Sequence, residues 1–170
     1  MDFDFLLIQK AKNGDREAGE HLVKKYYSAI YQYCILHIHD CHEAEDMTQE
    51  TFVRFFESLK TYQECGKAKN YLYCIAGNIV RNYYRKRKAM PIAELPEGAN
   101  NVMKDIEIRM EIEEAVDSLP NELKEVVILF FFQGLRQREI AELMNIKLSL
   151  VKYRIGRAKR LLADCLEVKK

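Results

Sequence analysis

Residues 134–162 read GLRQREIAELMNIKLSLVKYRIGRAKRLL, and this stretch decides how the chain is organised. It reads as two helices joined by a tight turn. In the first, Ile140, Ala141 and Met144 share a face. In the second, Val151, Ile155, Ala158 and Leu162 recur with helical period. Asn145 and Ile146 lie between them, and asparagine is one of the few residues that tolerates the left-handed conformation ending a helix. At 100° per residue, the second helix turns Ser149, Lys152, Tyr153, Gly156, Arg157 and Arg160 away from its apolar stripe. A basic face with a small residue for close approach fits a helix-turn-helix whose second helix lies in the major groove of DNA. There, Lys and Arg neutralise phosphates or read guanine edges. A plain surface helix pair with solvated cations shows the same local pattern, so the rest of the chain must decide.

Upstream, Glu122 to Gln133 reads as one helix ended by Gly134. Its run VVILFFF is apolar all round, as expected of a central buried helix. Leu119-Pro120-Asn121 breaks an earlier helix that carries Ile106, Met110, Ala115, Val116 and Leu119. Residues 89–105, AMPIAELPEGANNVMKD, hold two prolines, a glycine and two asparagines with no sustained period, and read as a linker. The expected fold is all-α. Two small helical domains, 1–88 and 106–170, are joined by the flexible linker 89–105, and the second contains the helix-turn-helix.

Within the first domain, residues 3–12 read as a short helix ended at Asn13-Gly14. Asp15 can cap a second, from Arg16 to about His39, with Ala18, Leu22, Tyr26, Ala29, Tyr33 and Leu36 on one side. Asp40 and Glu43 resemble a capping box opening a third. Its inner face is Ala44, Met47, Thr48, Thr51, Phe55 and Leu59; Asp46, Gln49, Glu50, Val53 and Glu57 point the other way. That outer face suits either solvent or a basic partner surface. Residues 60–70 read as a polar loop. A fourth helix follows from about Tyr71 to Lys88, with Leu72, Ile75, Ala76, Ile79 and Tyr83 inward. Asn78, Arg81, Asn82 and Arg85 form an outer stripe of amides and guanidinium groups, able to meet base edges and phosphates. Nearby tyrosines, including Tyr62 in the loop, offer stacking surfaces for unpaired bases. The helix dipole favours a basic C-terminus and accounts for Arg85 to Lys88, but leaves the Asn/Arg stripe unexplained.

Composition narrows the alternatives. The 170 residues are 48% apolar and 31% charged, enough for a core and a solvated surface. No apolar run approaches the ~18 residues of a membrane span, and no basic start with a cleavage site suggests a signal peptide, so a cytoplasmic protein without membrane insertion is expected. Five cysteines form an odd count without paired spacing, consistent with reduced thiols. The net charge of +1 hides an order: residues 1–88 carry 14 basic and 12 acidic groups, 89–125 carry 3 and 10, and 126–170 carry 10 and 4. A basic block behind an acidic middle hints at nucleic acid. Cys34, His37 and Cys41 share a helical face, but no second cluster supplies the remaining ligands of a zinc site, so no metal and no cofactor is expected. No phosphate loop, HExxH or nucleophile–base pair appears, so the chain does not read as an enzyme.

Four motifs in one order carry a family resemblance. Glu43-Ala-Glu-Asp-Met-Thr-Gln-Glu-Thr-Phe52 resembles the AEDxTQExF signature of the bacterial sigma-70 superfamily, and Tyr71-Leu-Tyr-Cys-Ile-Ala-Gly-Asn78 its WLYRIAxN. Asp117-Ser-Leu-Pro120, then Gly134-Leu and Glu139-Ile-Ala-Glu-Leu143, are similar to its LP…GLSxxEIAExLG. Two domains on 170 residues match the short extracytoplasmic-function (ECF) type, and the resemblance covers nearly the whole chain. It implies a dissociable initiation subunit of bacterial RNA polymerase that directs the core enzyme to promoters and helps open DNA at the −10 element. By that resemblance Asp46, Gln49, Glu50 and Val53 contact the clamp of the β′ subunit. Tyr62, Asn78, Arg81, Asn82 and Arg85 lie at the −10 element, with loop residues 62–70 accepting an unstacked base. Ser149, Lys152, Tyr153 and Arg157 face the −35 element. Promoter DNA, core polymerase and an anti-sigma partner are the implied partners. The chain departs from the pattern at Tyr71 (usually Trp), at Gly77 (usually bulkier), at Arg136 (usually a capping Ser) and at Leu148 to Leu150, which replace a small, glycine-containing entry. The rivals are a helix-turn-helix repressor or activator that dimerises or binds a ligand, and a metal or redox sensor built on Cys34, His37 and Cys41.

Overall fold

A computed structural model describes residues 3–62, 68–88 and 114–168, all of its regular elements being helices. The expected linker 89–105, residues Ile106 and Met110, and loop residues 63–67 lie outside the described residues. The chain divides into two compact units, Met1–Pro96 and Glu97–Lys170.

In the first unit, α1 (Phe3–Lys12) runs into a turn at Gly14, whose φ of +90° suits a residue without Cβ. Asp15 then caps α2 (Arg16–Ile38) by accepting from the Ala18 N–H at 3.1 Å. His39 ends α2 in the left-handed conformation, φ 59°, and donates its N–H to the Ile35 carbonyl. Asp40 caps α3 (Cys41–Ser58), accepting from His42 and Glu43 N–H at 2.9 and 3.0 Å. The fourth helix, α4, spans Ala68–Lys88, one turn earlier than the periodicity indicates, because Ala68 is itself buried.

The core of this unit lies where α2, α3 and α4 meet. Leu22, Ile30, Tyr33, Cys34, Phe55, Leu72 and Tyr73 are fully buried, the large apolar ones each contributing about 1.5–3 kcal/mol. Thr48 and Thr51 are buried too, and donate their hydroxyls to the Ala44 and Met47 carbonyls at 2.7 Å. Three ties bring in the edges: Lys25 and Tyr26 donate to the Asp4 carboxylate, Lys12 Nζ donates to the Tyr62 carbonyl at 2.7 Å, and the Tyr84 hydroxyl donates to the His37 carbonyl.

Two positions differ from the expected inner faces. Ala29 is half-exposed while Ile30 is buried, and Tyr83 is half-exposed while Tyr73 and Val80 are buried. In each case the neighbouring residues supply the buried apolar volume. Gly77 explains how α4 approaches α2: a Cβ there would stand 3.1 Å from the Tyr33 hydroxyl oxygen. The missing side chain is the space that Tyr33 occupies.

In the second unit, a helical turn at 114–117 buries Ala115 and Val116 and breaks at Leu119-Pro120. Helix α5 (Asn121–Val127) follows, then a π-helical turn, Ile128–Phe132. The expected single helix from Glu122 to Gln133 is thus two segments, and the run is not buried all round. Ile128 and Leu129 are buried, but Phe131 is 49% exposed, with Phe130 and Phe132 partly so. In the π turn the Gln133 N–H reaches back to Ile128, and Leu135 to Leu129. A unit this small has too little surrounding surface to cover every side of an apolar helix.

After Gly134 (φ +65°) come α6 (Gln137–Leu143) and α7 (Leu148–Val168). The Glu139 carboxylate accepts from the Arg136 N–H at 2.7 Å, half of a capping box; arginine, having no acceptor, cannot supply the other half. Asn145 takes φ 52° as the turn requires, and Ile146 N–H bonds the Ala141 carbonyl at 3.0 Å, closing a Schellman turn.

Filling the Gly77 space should be costly. We expect Gly77→Leu to lower stability by about 2 kcal/mol, as overpacking does. Gly156→Ala, where nothing lies within 4 Å, should be neutral or stabilising by up to about 1 kcal/mol. Urea denaturation of both variants checks this, and equal midpoints would disprove the steric account.

Candidate functional site

On α3 the apolar stripe is turned inward, and this fixes what faces out. Asp46, Gln49, Glu50 and Val53 are all exposed, with Val53 at 55%. An uncovered valine among two carboxylates and an amide gives this face both a charge and an apolar contact. Glu50 pairs with Arg54 one turn on, but both are about half exposed, so the pair contributes little to stability and leaves the carboxylate available.

The α4 stripe is less uniform than its spacing indicates. Asn78, Arg81 and Arg85 are exposed, and Arg81 donates to the Asn78 side-chain oxygen at 2.6 Å. Asn82 is half-buried. With Arg85 it lines a cleft of about 210 Å³ whose opposite wall carries Asp46 and Glu50 of α3. Two residue sets that sequence spacing treats as separate surfaces therefore line one cleft: the α3 wall carries Glu43, Asp46 and Glu50 together with Arg54, and the α4 wall Asn82, Arg85 and Lys86.

Tyr62 is half-buried, its ring stacked on Tyr71 with centroids 4.5 Å apart and planes 18° apart; Phe55 lies 6.2 and 6.1 Å from the two rings. One face of Tyr62 is thus taken by Tyr71. The pair is a two-ring platform, and Tyr71 belongs to it although spacing alone does not select it.

On α7, Val151, Ile155 and Ala158 are buried and Leu162 is partly so, while Ser149, Lys152, Tyr153, Gly156, Arg157 and Arg160 are exposed. Arg154 is the residue that the basic count conceals. Its side chain is 14% exposed and donates to the Glu122 carboxylate at 2.7 Å, tying α7 to the start of α5. Its position three residues after Val151, on the flank of the apolar stripe, is the signal that could have found it.

The Cys34, His37 and Cys41 group does not assemble. Cys34 is buried beside Thr48, the His37 ring packs 4.6 Å from that of Tyr33, and Cys41 is exposed at the start of α3. Among the described residues, no set of three His, Cys, Asp or Glu could hold a metal ion. Burial pushes the Cys34 thiol up to about 11, outweighing the opposite effect of the neighbouring Thr48 side chain. No helix among the described residues is long and apolar enough to cross a membrane.

Residues 22–90 match the family described as Sigma-70 region 2, and residues 109–162 match Sigma-70, region 4. The chain is 31% identical over 166 residues to the ECF RNA polymerase sigma factor SigE of Mycolicibacterium smegmatis, covering 90% of this chain and 64% of that protein. It therefore spans just under two thirds of that relative's length. It is 30% identical over 182 residues to the RNA polymerase sigma-H factor of Pseudomonas aeruginosa, covering 96% and 94%. Its fold is similar to the sigma factor RpoE in a co-crystal structure with the anti-sigma factor NepR from Bartonella quintana, with a TM-score of 0.72, 19% identity, and 89% and 98% of the two chains covered.

The thiols give a direct check of the geometry. At pH 8 a disulfide reagent should label Cys41 in the native protein and leave Cys34 unlabelled, as mapped by mass spectrometry. The native Cys34 thiol holds its proton above the usual 9.0, where an unfolded chain loses it; stability should accordingly fall as pH rises from about 9 to about 11. Burial of Tyr73 acts in the same direction at still higher pH. Fast native labelling of Cys34 would contradict the packing described.

Proposed function

The chain belongs to the sigma-70 family, as an ECF-type sigma factor of transcription initiation, and on that footing we propose how its surfaces divide the work. The first unit docks on the clamp of core RNA polymerase through Asp46, Gln49, Glu50 and Val53. The same unit meets the −10 element through Asn78, Arg81, Asn82 and Arg85, with Tyr62 stacking an unpaired base. The second unit reads the −35 element through Ser149, Lys152, Tyr153 and Arg157. One observation carries the reading: each of α3, α4 and α7 buries an apolar stripe and thereby presents the polar side that its task needs.

The physical roles follow from the groups present. Carboxylates with an exposed valine suit a basic partner that also offers apolar contact. Taking a base out of the stack costs a few kcal/mol, and stacking on an aromatic ring returns about 1–3 kcal/mol per base. The Tyr62–Tyr71 pair keeps the Tyr62 ring oriented before any base arrives, so less rotamer freedom is lost on binding. At the −35 element, α7 enters the major groove, and Lys152 and Arg157 bind phosphate or guanine.

On this reading the protein acts by binding, with no catalytic step of its own, and works in the cytoplasm beside its polymerase. An anti-sigma protein holds it inactive until a signal arrives; the complex formed by a fold neighbour with such a protein supports this.

Run-off transcription with purified bacterial core polymerase and promoter fragments from its own genome tests the assignment. We expect transcripts only when the protein is present. Glu50→Lys with Asp46→Lys should cut them at least 10-fold while leaving thermal stability within about 0.5 kcal/mol, since both sites are exposed. No transcript, with tight duplex binding by the protein alone, would favour a repressor instead.

A further inference from the structure

The recognition face of α7 carries more than charge. Leu150 is 37% exposed and Tyr153 54% exposed, three residues apart and therefore neighbours on one side of the helix. Both lie in its N-terminal half, the part that reaches base edges in a helix-turn-helix. Tyr153 has no hydrogen-bond or ring partner among the described residues. The residues four before it and three after it are Ser149 and Gly156, and a Cβ added at Gly156 would meet nothing within 4 Å. The ring therefore stands between two small residues, free to lie along the helix surface or to turn outward. The flanking cations, Lys152 and Arg157, belong to the same exposed face.

A polar reader would need none of this. The Leu150 side chain and the Tyr153 ring, partly uncovered on this face, gain little from a group that is only a hydrogen-bond donor or acceptor; only the Tyr153 hydroxyl can bond to one. In the major groove, base edges offer one apolar group, the C5 methyl of thymine. The spacing also fits: side chains at i and i+3 stand about 5–6 Å apart, within reach of methyls on neighbouring base pairs stacked at 3.4 Å.

We propose that Leu150 and Tyr153 are specificity-determining residues that read thymine methyl groups in the −35 element. The open notch at Gly156 lets the helix approach closely enough for the Tyr153 ring to cover a methyl. Lys152 and Arg157 hold the phosphates and any guanine. The proposal rests on α7 being the −35 helix, and it adds the class of base that the helix selects.

The test uses full-length protein with core polymerase on fragments that give protein-dependent transcripts. Each −35 thymine is replaced in turn by deoxyuridine, which removes only the methyl. For the unaltered protein we expect at least one replacement to weaken promoter binding about 4-fold, the equivalent of about 0.8 kcal/mol for one buried carbon group. For Tyr153→Ser or Leu150→Ala that same replacement should make no further difference, while the variants keep the normal melting temperature. The proposal fails if no deoxyuridine matters, if the methyl effect survives in both variants, or if the −35 elements contain only G·C pairs. A protein-dependent transcript with no methyl effect would overturn this inference and leave the sigma assignment intact. Absence of any protein-dependent transcript would remove both.

Discussion

The close approach of α2 to α4 is the constraint on which the first unit depends. Tyr33 makes it possible. Its ring lies 5.4 Å from that of Tyr73 and 4.6 Å from that of His37, and its hydroxyl takes the space left by the missing side chain of Gly77. A bulkier residue at 77 would push α4 away, and interiors packed at crystal-like density have no slack to absorb the shift. Because α3 packs on both of these helices, the width of the cleft between the Asp46–Glu50 wall and the Asn82–Arg85 wall follows from the same contact.

That cleft brings unlike charges of two helices together. Here the opposite charges sit on facing walls of one crevice rather than on opposite ends of the unit. A partner that engages the carboxylates changes the field felt by the arginine across the cleft, and by linkage the effect runs equally in reverse. In the second unit the arrangement is simpler. The Arg154–Glu122 pair and the buried Val151, Ile155 and Ala158 set the orientation of α7 against α5 and α6, leaving its outer face exposed.

Local chemistry was legible where a few neighbouring residues decide the outcome. Asp15, Asp40 and Asn145 act as read, because a cap or a left-handed turn is settled within four residues. The exposed faces of α3 and α7 were legible for a similar reason: their apolar stripes are unambiguous, and the opposite side has nowhere to go but outward. Legibility was lost where apolar residues adjoin. Ala29 and Ile30 both fit a stripe, and the larger one was taken inward. The phenylalanines at 130–132 read as core by composition, yet the π turn leaves Phe131 half uncovered beside Lys159, whose ammonium lies 5.6 Å from the ring centre.

The sequence by itself determined the helices, their caps and the polarity of each face, since these depend on short-range periodicity and on backbone preferences of single residues. Only the tertiary structure decided which distant groups meet. It brought Tyr62 onto Tyr71, Arg154 onto Glu122, Tyr33 into the space at Gly77, and the α3 carboxylates opposite Asn82 and Arg85. It also withdrew Cys34 and His37 into the core and left Cys41 outside it. The physical reason is that a helix's own sequence sets the direction of each side chain, whereas the crossing of helices sets its neighbours. That crossing is a property of the packed core as a whole.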